Sequence, residues 1–189
     1  MNKFLSVLIM AILSGCSSTS VIYNGSEKPN MSKKHFHVDA TGDIVNTNLK
    51  PITPSLYDSL FSILKASGYN ISKGEKGEIK VVLPSEDSFK TSSAKLNEET
   101  KERLQEIVRE VRKYPLKKIF IGGHTDSTGK FETNEALSGL RAQSVADVFF
   151  KEKIKNKVYI IAYGETMPVQ SNFIKEGRKA NRRIELVIY

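Results

Sequence analysis

The chain has 189 residues, 39% of them hydrophobic and 26% charged, with a formal net charge of +8 and an isoelectric point near 9.4. That hydrophobic fraction excludes a disordered chain, and the length suits one domain with added segments. Lysines and arginines are interleaved with acids throughout, so the positive balance reads as a solvated surface. The single cysteine, Cys16, excludes an internal disulfide.

Residues 1–15 have the three-part layout of a secretory signal. Lys3 is the positive start, Phe4 to Leu13 is an apolar run broken by Ser6, and the small residues Ser14 and Gly15 precede Cys16. The run falls short of the roughly 20 apolar residues that cross a bilayer as a helix. Leu13-Ser14-Gly15-Cys16 resembles the lipobox of bacterial lipoproteins. The resemblance implies removal of residues 1–15 and acylation (palmitate or a similar chain) of Cys16. Because Ser17 rather than Asp follows, it also implies an address at the periplasmic face of the outer membrane. Several acyl chains, at about 0.8 kcal/mol per buried CH₂, make a durable anchor.

Residues 16–50 form the expected lipidated N-terminus and tether, rich in Ser, Thr, Asn, Gly and Lys and without sustained periodicity. A tether of this length reaches roughly 110 Å fully extended, and about 30–35 Å as a flexible coil. His35-Phe36-His37-Val38 alternates as a short strand would, but two histidines are too few for a metal site.

Residues 51–189 read as one domain with a leading helix. Leu56, Leu60, Ile63 and Leu64 recur at helical spacing before Gly68. Glu78 to Leu83 alternates as a strand. Asn97 caps a helix with Glu98 and Glu99 in its first turn and a stripe of Leu104, Ile107, Val108 and Val111, ended by Pro115. Lys118 to Gly122 is a short strand. A helix over about Thr133 to Phe150 carries Leu137, Leu140, Val145, Val148 and Phe149. Val158 to Tyr163 and Arg183 to Tyr189 are strands rich in Val, Ile and Tyr. The order predicts an α+β two-layer sandwich, a βαβαβ arrangement with a mixed sheet and helices on one face.

The informative stretch begins with Gly123-His124-Thr125-Asp126 after a strand. It continues with Asn134, Leu137, Ser138, Arg141 and Ala142 on the next helix, then Tyr163-Gly164-Glu165 and Pro168, and finally Asn181-Arg182-Arg183-Ile184-Glu185. Asp126 sits in a loop at a strand end, a common place for binding residues. A strand-loop-helix return brings Arg141 back over that loop. The pair then offers either a carboxylate and a bidentate cation to a zwitterion, or a salt bridge between the two residues themselves.

These separated motifs, in order, resemble the C-terminal domain shared by OmpA, Pal and MotB, over roughly residues 78–189, with a weaker match at Phe89, Ala94 and Leu96. The resemblance implies a non-enzymatic domain that binds peptidoglycan without a cofactor or metal. In that family the loop aspartate and helix arginine hold the ammonium and carboxylate of meso-diaminopimelate in the stem peptide, which assigns those roles to Asp126 and Arg141. Thr125, Asn134 and Arg182 match positions lining the same pocket. Leu137, Ala142 and Val145 match the packing side of the helix. The stretch ahead of the domain is too short and polar for an outer-membrane barrel. The size and N-terminal extension also resemble the DotK (IcmN) lipoproteins of Dot/Icm type IV secretion, which implies secretion-complex proteins as further partners and an alternative role in assembly.

Two other classes find less support. A Ser-His-Asp enzyme would need His124 between Asp126 and a serine such as Ser127 or Ser138, but no nucleophile-elbow or metal-hydrolase spacing is present. A nucleic-acid module would rest on charge alone, so no nucleic-acid partner is expected.

Overall fold

The computed structural model describes residues 19–23, 54–66, 68–74, 77–90, 92–115 and 118–189. The elements in order are β1 (Thr19–Tyr23), α1 (Pro54–Lys65), β2 (Asn70–Lys73), β3 (Ile79–Pro84), α2 (Ser85–Ser88), α3 (Glu98–Val111), β4 (Lys118–His124), α4 (Phe131–Lys151), β5 (Lys157–Gly164), α5 (Lys175–Asn181) and β6 (Arg183–Ile188). The strands form a six-stranded mixed sheet in the order β1-β5-β4-β6-β3-β2. Only β4 and β5 run parallel, joined by α4 as the crossover helix; the other neighbours are antiparallel.

Period-2 alternation sorts each strand onto two faces. Ile79, Val81 and Leu83 of β3, Ile119 and Ile121 of β4, Val158 and Ile160 of β5, and Ile184, Leu186 and Ile188 of β6 are buried toward the helices. There α4 packs on β4 and β5, α3 lies against α4, and α1 lies against α3 and β2. Leu104, Ile107, Val108 and Val111 of α3 meet Ala142, Val145, Ala146 and Phe149 of α4 in the same core. Each large side chain buried in this way contributes about 1.5–3 kcal/mol. The other face of the sheet carries Phe120 stacked on Tyr159 and His124 stacked on Tyr163. This is the expected two-layer α+β sandwich.

Asn97 caps α3 as its sequence predicts: its Oδ1 accepts from the Thr100 amide at 2.7 Å. Thr19–Tyr23, inside the stretch read as a tether, pairs with β5 from Thr19↔Ala162 to Tyr23↔Val158; this segment, rich in β-branched residues, is too short to show periodicity. Ile63 and Leu140 lie on helices as their spacing predicts, but are 41% and 49% exposed and stay outside the core. Leu140 follows the buried Gly139 by one position, about 100° around the helix. The signal segment, Cys16 and the His35–Val38 alternation lie outside the described residues. Among the described residues, no helix is long and apolar enough to cross a membrane.

Candidate functional site

The site forms where β4 ends. The β4–β5 register shifts between Gly123 and His124, and Thr125 N–H donates to the Gly164 carbonyl at 2.8 Å. The chain then turns sharply. Asp126 Oδ1 accepts from the Thr128 amide at 2.8 Å, an Asx turn, and Gly129 takes a left-handed φ of 104°. The Asn134 side-chain amide fastens this loop to α4 by donating to the carbonyls of Asp126 and Thr128, both at 3.2 Å, and to Glu165 Oε2 at 2.6 Å.

The helix approaches the strand closely. A Cβ on Gly123 would lie 2.0 Å from the Ser138 carbonyl oxygen, so only glycine permits this contact. Ser138, fully buried, accepts from Gly164 N–H at 3.0 Å and donates to the Glu135 carbonyl at 2.7 Å. One turn later α4 presents Arg141.

Asp126 and Arg141 line one cavity of about 480 Å³, together with Glu86, Phe89, Thr125, Asn134, Leu137 and Arg182. That size lies within the range of ligand pockets. The salt bridge between Asp126 and Arg141, left open by the sequence, is not the one formed. Asp126 Oδ2 accepts from Arg182 Nη1 at 2.6 Å, and Arg182 Nη2 donates to Glu86. Arg141 is only 6% exposed. It donates from Nε to the Ser93 carbonyl at 3.0 Å and lies over the Phe89 ring, 5.2 Å from its centroid. Among the described residues it has no carboxylate partner. Leu137, read from sequence as a core residue, is half-buried and lines the cavity instead.

The charges in the cavity are coupled. Burial pushes the Asp126 carboxyl up, but hydrogen bonds from Arg182 and Thr128 outweigh it and hold the group below its usual value. Burial works against the Arg182 cation as well, and its bonds to Asp126 and Glu86 leave it more basic than usual. Arg141 moves the other way: burial, then repulsion from Arg182, lower it, and Asp126 offsets only part of this. A buried guanidinium destabilised in this way favours an incoming anion.

All five sequence-predicted site residues, Thr125, Asp126, Asn134, Arg141 and Arg182, border this one cavity. Thr125 Oγ1 is buried and has no hydrogen-bond partner among the described residues, whereas the Asn134 amide is committed to the loop and Glu165. Sequence reasoning missed Glu86, because an acid in a short polar link between strand and helix carries no pattern. The residues weighed as a catalytic triad are not assembled into one. His124 stacks on Tyr163 on the far face of the sheet, and Ser138 is bonded to Glu135 and Gly164.

Residues 88–182 match the OmpA family. The chain belongs to that family. It is 30% identical over 126 residues to the probable lipoprotein YiaD of Escherichia coli, covering 66% of this chain and 58% of YiaD. It is 31% identical over 102 residues to the peptidoglycan-binding protein ArfA of Mycobacterium bovis, covering 53% of this chain and 31% of ArfA. The matches thus span less than two thirds of either relative. Among solved structures, the cell wall anchor of the type VI secretion system of Pseudomonas aeruginosa superposes with a TM-score of 0.56 at 25% identity, covering 73% of this chain and 99% of the other. The OmpA-family stretch contains every residue named above for the cavity except Glu86.

Proposed function

We propose that this OmpA-family chain is a non-enzymatic clamp on peptidoglycan that holds the meso-diaminopimelate of a stem peptide, with Asp126 receiving the ammonium and Arg141 the carboxylate. The observation that carries the reading is Arg141, a buried guanidinium with no carboxylate partner among the described residues, in the same cavity as an ionised aspartate. A ligand carboxylate supplies the missing anion through a charge-assisted, bidentate pair. Asp126 already accepts from Thr128 and Arg182, but a carboxylate offers about four lone-pair sites, which leaves capacity for an ammonium. Thr125 Oγ1 adds a neutral hydrogen bond. ArfA is a peptidoglycan-binding protein and the type VI structure is a cell wall anchor, which supports peptidoglycan as the polymer bound.

In this reading Cys16 carries lipid that holds the chain at the periplasmic face of the outer membrane, so one polypeptide ties membrane to wall. Two modest attachments on one chain then bind at high effective concentration. The match to YiaD supports a lipoprotein. The relatives do not single out a DotK-type subunit, and a place in a secretion complex rests on the earlier resemblance alone.

The test is cosedimentation of the chain lacking residues 1–16 with purified peptidoglycan of the diaminopimelate and lysine types. Binding that prefers the diaminopimelate wall and vanishes in Asp126→Ala and Arg141→Ala, both shown to be folded, is the expected result. A folded wild-type chain that binds neither wall overturns the reading and leaves the domain as a docking surface for proteins.

A further inference from the structure

The loop between β5 and α5 carries an aromatic group that the fold leaves uncovered. Phe173 is 96% exposed and Ile174, beside it, 54%. Single exposed apolar residues are ordinary on slack loops, but this loop is held. Asn181, fully buried, accepts on Oδ1 from the amides of Val169 at 2.8 Å and Gln170 at 3.0 Å. Its Nδ2 donates to the Gln170 carbonyl and to Asn172 Oδ1, both at 2.8 Å. Arg178 donates to the carbonyls of Asn172 at 2.9 Å and Phe173 at 3.1 Å. Gly177 lies so close under the loop that a Cβ there would sit 2.0 Å from the Ser171 carbonyl oxygen. Phe173 is therefore presented on a fixed backbone and loses little beyond side-chain rotation on contact, which suits an aromatic anchor.

The loop also adjoins the cavity. Asn172 Oδ1 accepts from the Ser127 amide at 3.4 Å, and Ser127 directly follows Asp126. Within three residues of Phe173 in the chain, the exposed residues Gln170, Ser171, Lys175 and Glu176 supply amide, hydroxyl, ammonium and carboxylate groups. An exposed aromatic face with polar neighbours in the same loop suits a pyranose ring, whose C–H face packs on the aromatic while its hydroxyls and acetamido groups pair with donors and acceptors beside it.

We infer that Phe173 and its polar neighbours form a sugar-stacking platform for the glycan part of the ligand whose stem peptide fills the Asp126–Arg141 cavity. The inference rests on the peptidoglycan reading above. Sugar and stem are covalently joined in the wall, so a chain that touches both binds the second part at high effective concentration.

The experiment is calorimetric titration of the chain lacking residues 1–16 with two probes: a diaminopimelate-containing stem tetrapeptide, and the same peptide on its N-acetylglucosaminyl-N-acetylmuramic acid disaccharide. The wild type is expected to bind the disaccharide peptide about three- to tenfold more tightly. Phe173→Ala reduces it to the affinity of the bare peptide and leaves bare-peptide binding unchanged, and Phe173→Trp restores the gain. Equal affinity of the wild type for the two probes overturns the platform alone, as does a gain that survives Phe173→Ala. A wild type that binds neither probe overturns the Asp126–Arg141 reading and this one with it. Concentration-dependent dimers that Phe173→Ala dissolves, without any sugar gain, assign the loop to a second copy of the chain and also overturn the platform.

Discussion

The guanidinium of Arg182 joins Asp126 to Glu86, donating to Asp126 Oδ2 at 2.6 Å and from its other terminal nitrogen to the Glu86 carboxylate. Arg182 follows α5, Glu86 lies in α2 and Asp126 in the loop after β4, so one side chain holds three segments around the cavity. Ser85 reinforces this by donating its amide to the Arg182 carbonyl at 2.9 Å. Arg182 is thus a positioning residue: it keeps Asp126 ionised and aimed. Arg182→Met should weaken wall binding and lower stability by about 1–3 kcal/mol, the usual effect of losing hydrogen bonds to a charged group. Urea midpoints and cosedimentation together check this. Undiminished binding in a destabilised variant would remove the positioning role.

The same pair sets a pH dependence. The folded Asp126 carboxyl lies below its ordinary value, so its contribution to stability is fully present above the unfolded pKa of about 3.9 and is lost as pH falls through the folded value. The stability difference between wild type and Asp126→Asn should therefore be constant from pH 5 upward and shrink in acid below about pH 4. A difference that grows in acid contradicts the sign.

Arg141 makes contacts that a lysine cannot copy. Its Nε donates to Ser93 while the guanidinium carbon lies 5.2 Å from the Phe89 ring centroid, and a lysine has one nitrogen to serve both these contacts and a ligand. Arg141→Lys keeps the charge but should lose most wall binding, by about tenfold or more, if a ligand carboxylate uses the bidentate edge. Binding titrations against the stem peptide measure this directly. Wild-type affinity in the lysine variant would reduce Arg141 to a point charge.

Much of this arrangement is legible in the sequence, for physical reasons. Alternation in β3 and β6, the Asn97 cap and the stripe of α3 are local patterns with one structural reading each. The pairing of Asp126 is different. Arg182 and Arg141 are both cations at long sequence separation, and only the topology, which places β6 beside β4, puts Arg182 next to the loop. The short elements β2, α2 and α5 lack the length for a periodic signal. Leu137 and Leu140 fit a helical stripe by spacing, yet Gly139 and Ser138 take the buried positions because Gly123 lets the backbones approach. A small-residue contact of this kind has no hydrophobic signature.

That approach yields a sharp test. Gly123→Ala places a methyl carbon against the rigid Ser138 backbone, where no flexible side chain can yield. The expected cost is about 1–3 kcal/mol or more, typical of an overpacked contact. Because Ser138 and Arg141 lie one turn apart on α4, displacing the helix should also move Arg141 and weaken binding beyond what the stability loss explains. Urea denaturation combined with peptide titration at saturating folded fraction separates the two effects. A variant of wild-type stability would mean the strand and helix are not in fixed contact.

His124 offers a second titration with the opposite chemistry. Burial first, then repulsion from Arg183, lowers its pKa from 6.5 to about 3, and Glu185 and the Met167 backbone offset only part of this. Below about pH 6.5 the unfolded chain takes up a proton at this residue and the folded chain does not until near pH 3, so stability rises with pH across that window. On this account the wild type loses on the order of 1 kcal/mol per pH unit between pH 6 and 4. His124→Phe, which keeps a ring to stack on Tyr163, should lack that part of the slope, and the difference between the two stability curves isolates it from the carboxylates. Parallel curves would show that His124 is protonated in the folded chain at mild acidity. Because a neutral His124 persists from pH 5 to 8, this side chain contributes no change in wall binding over that range.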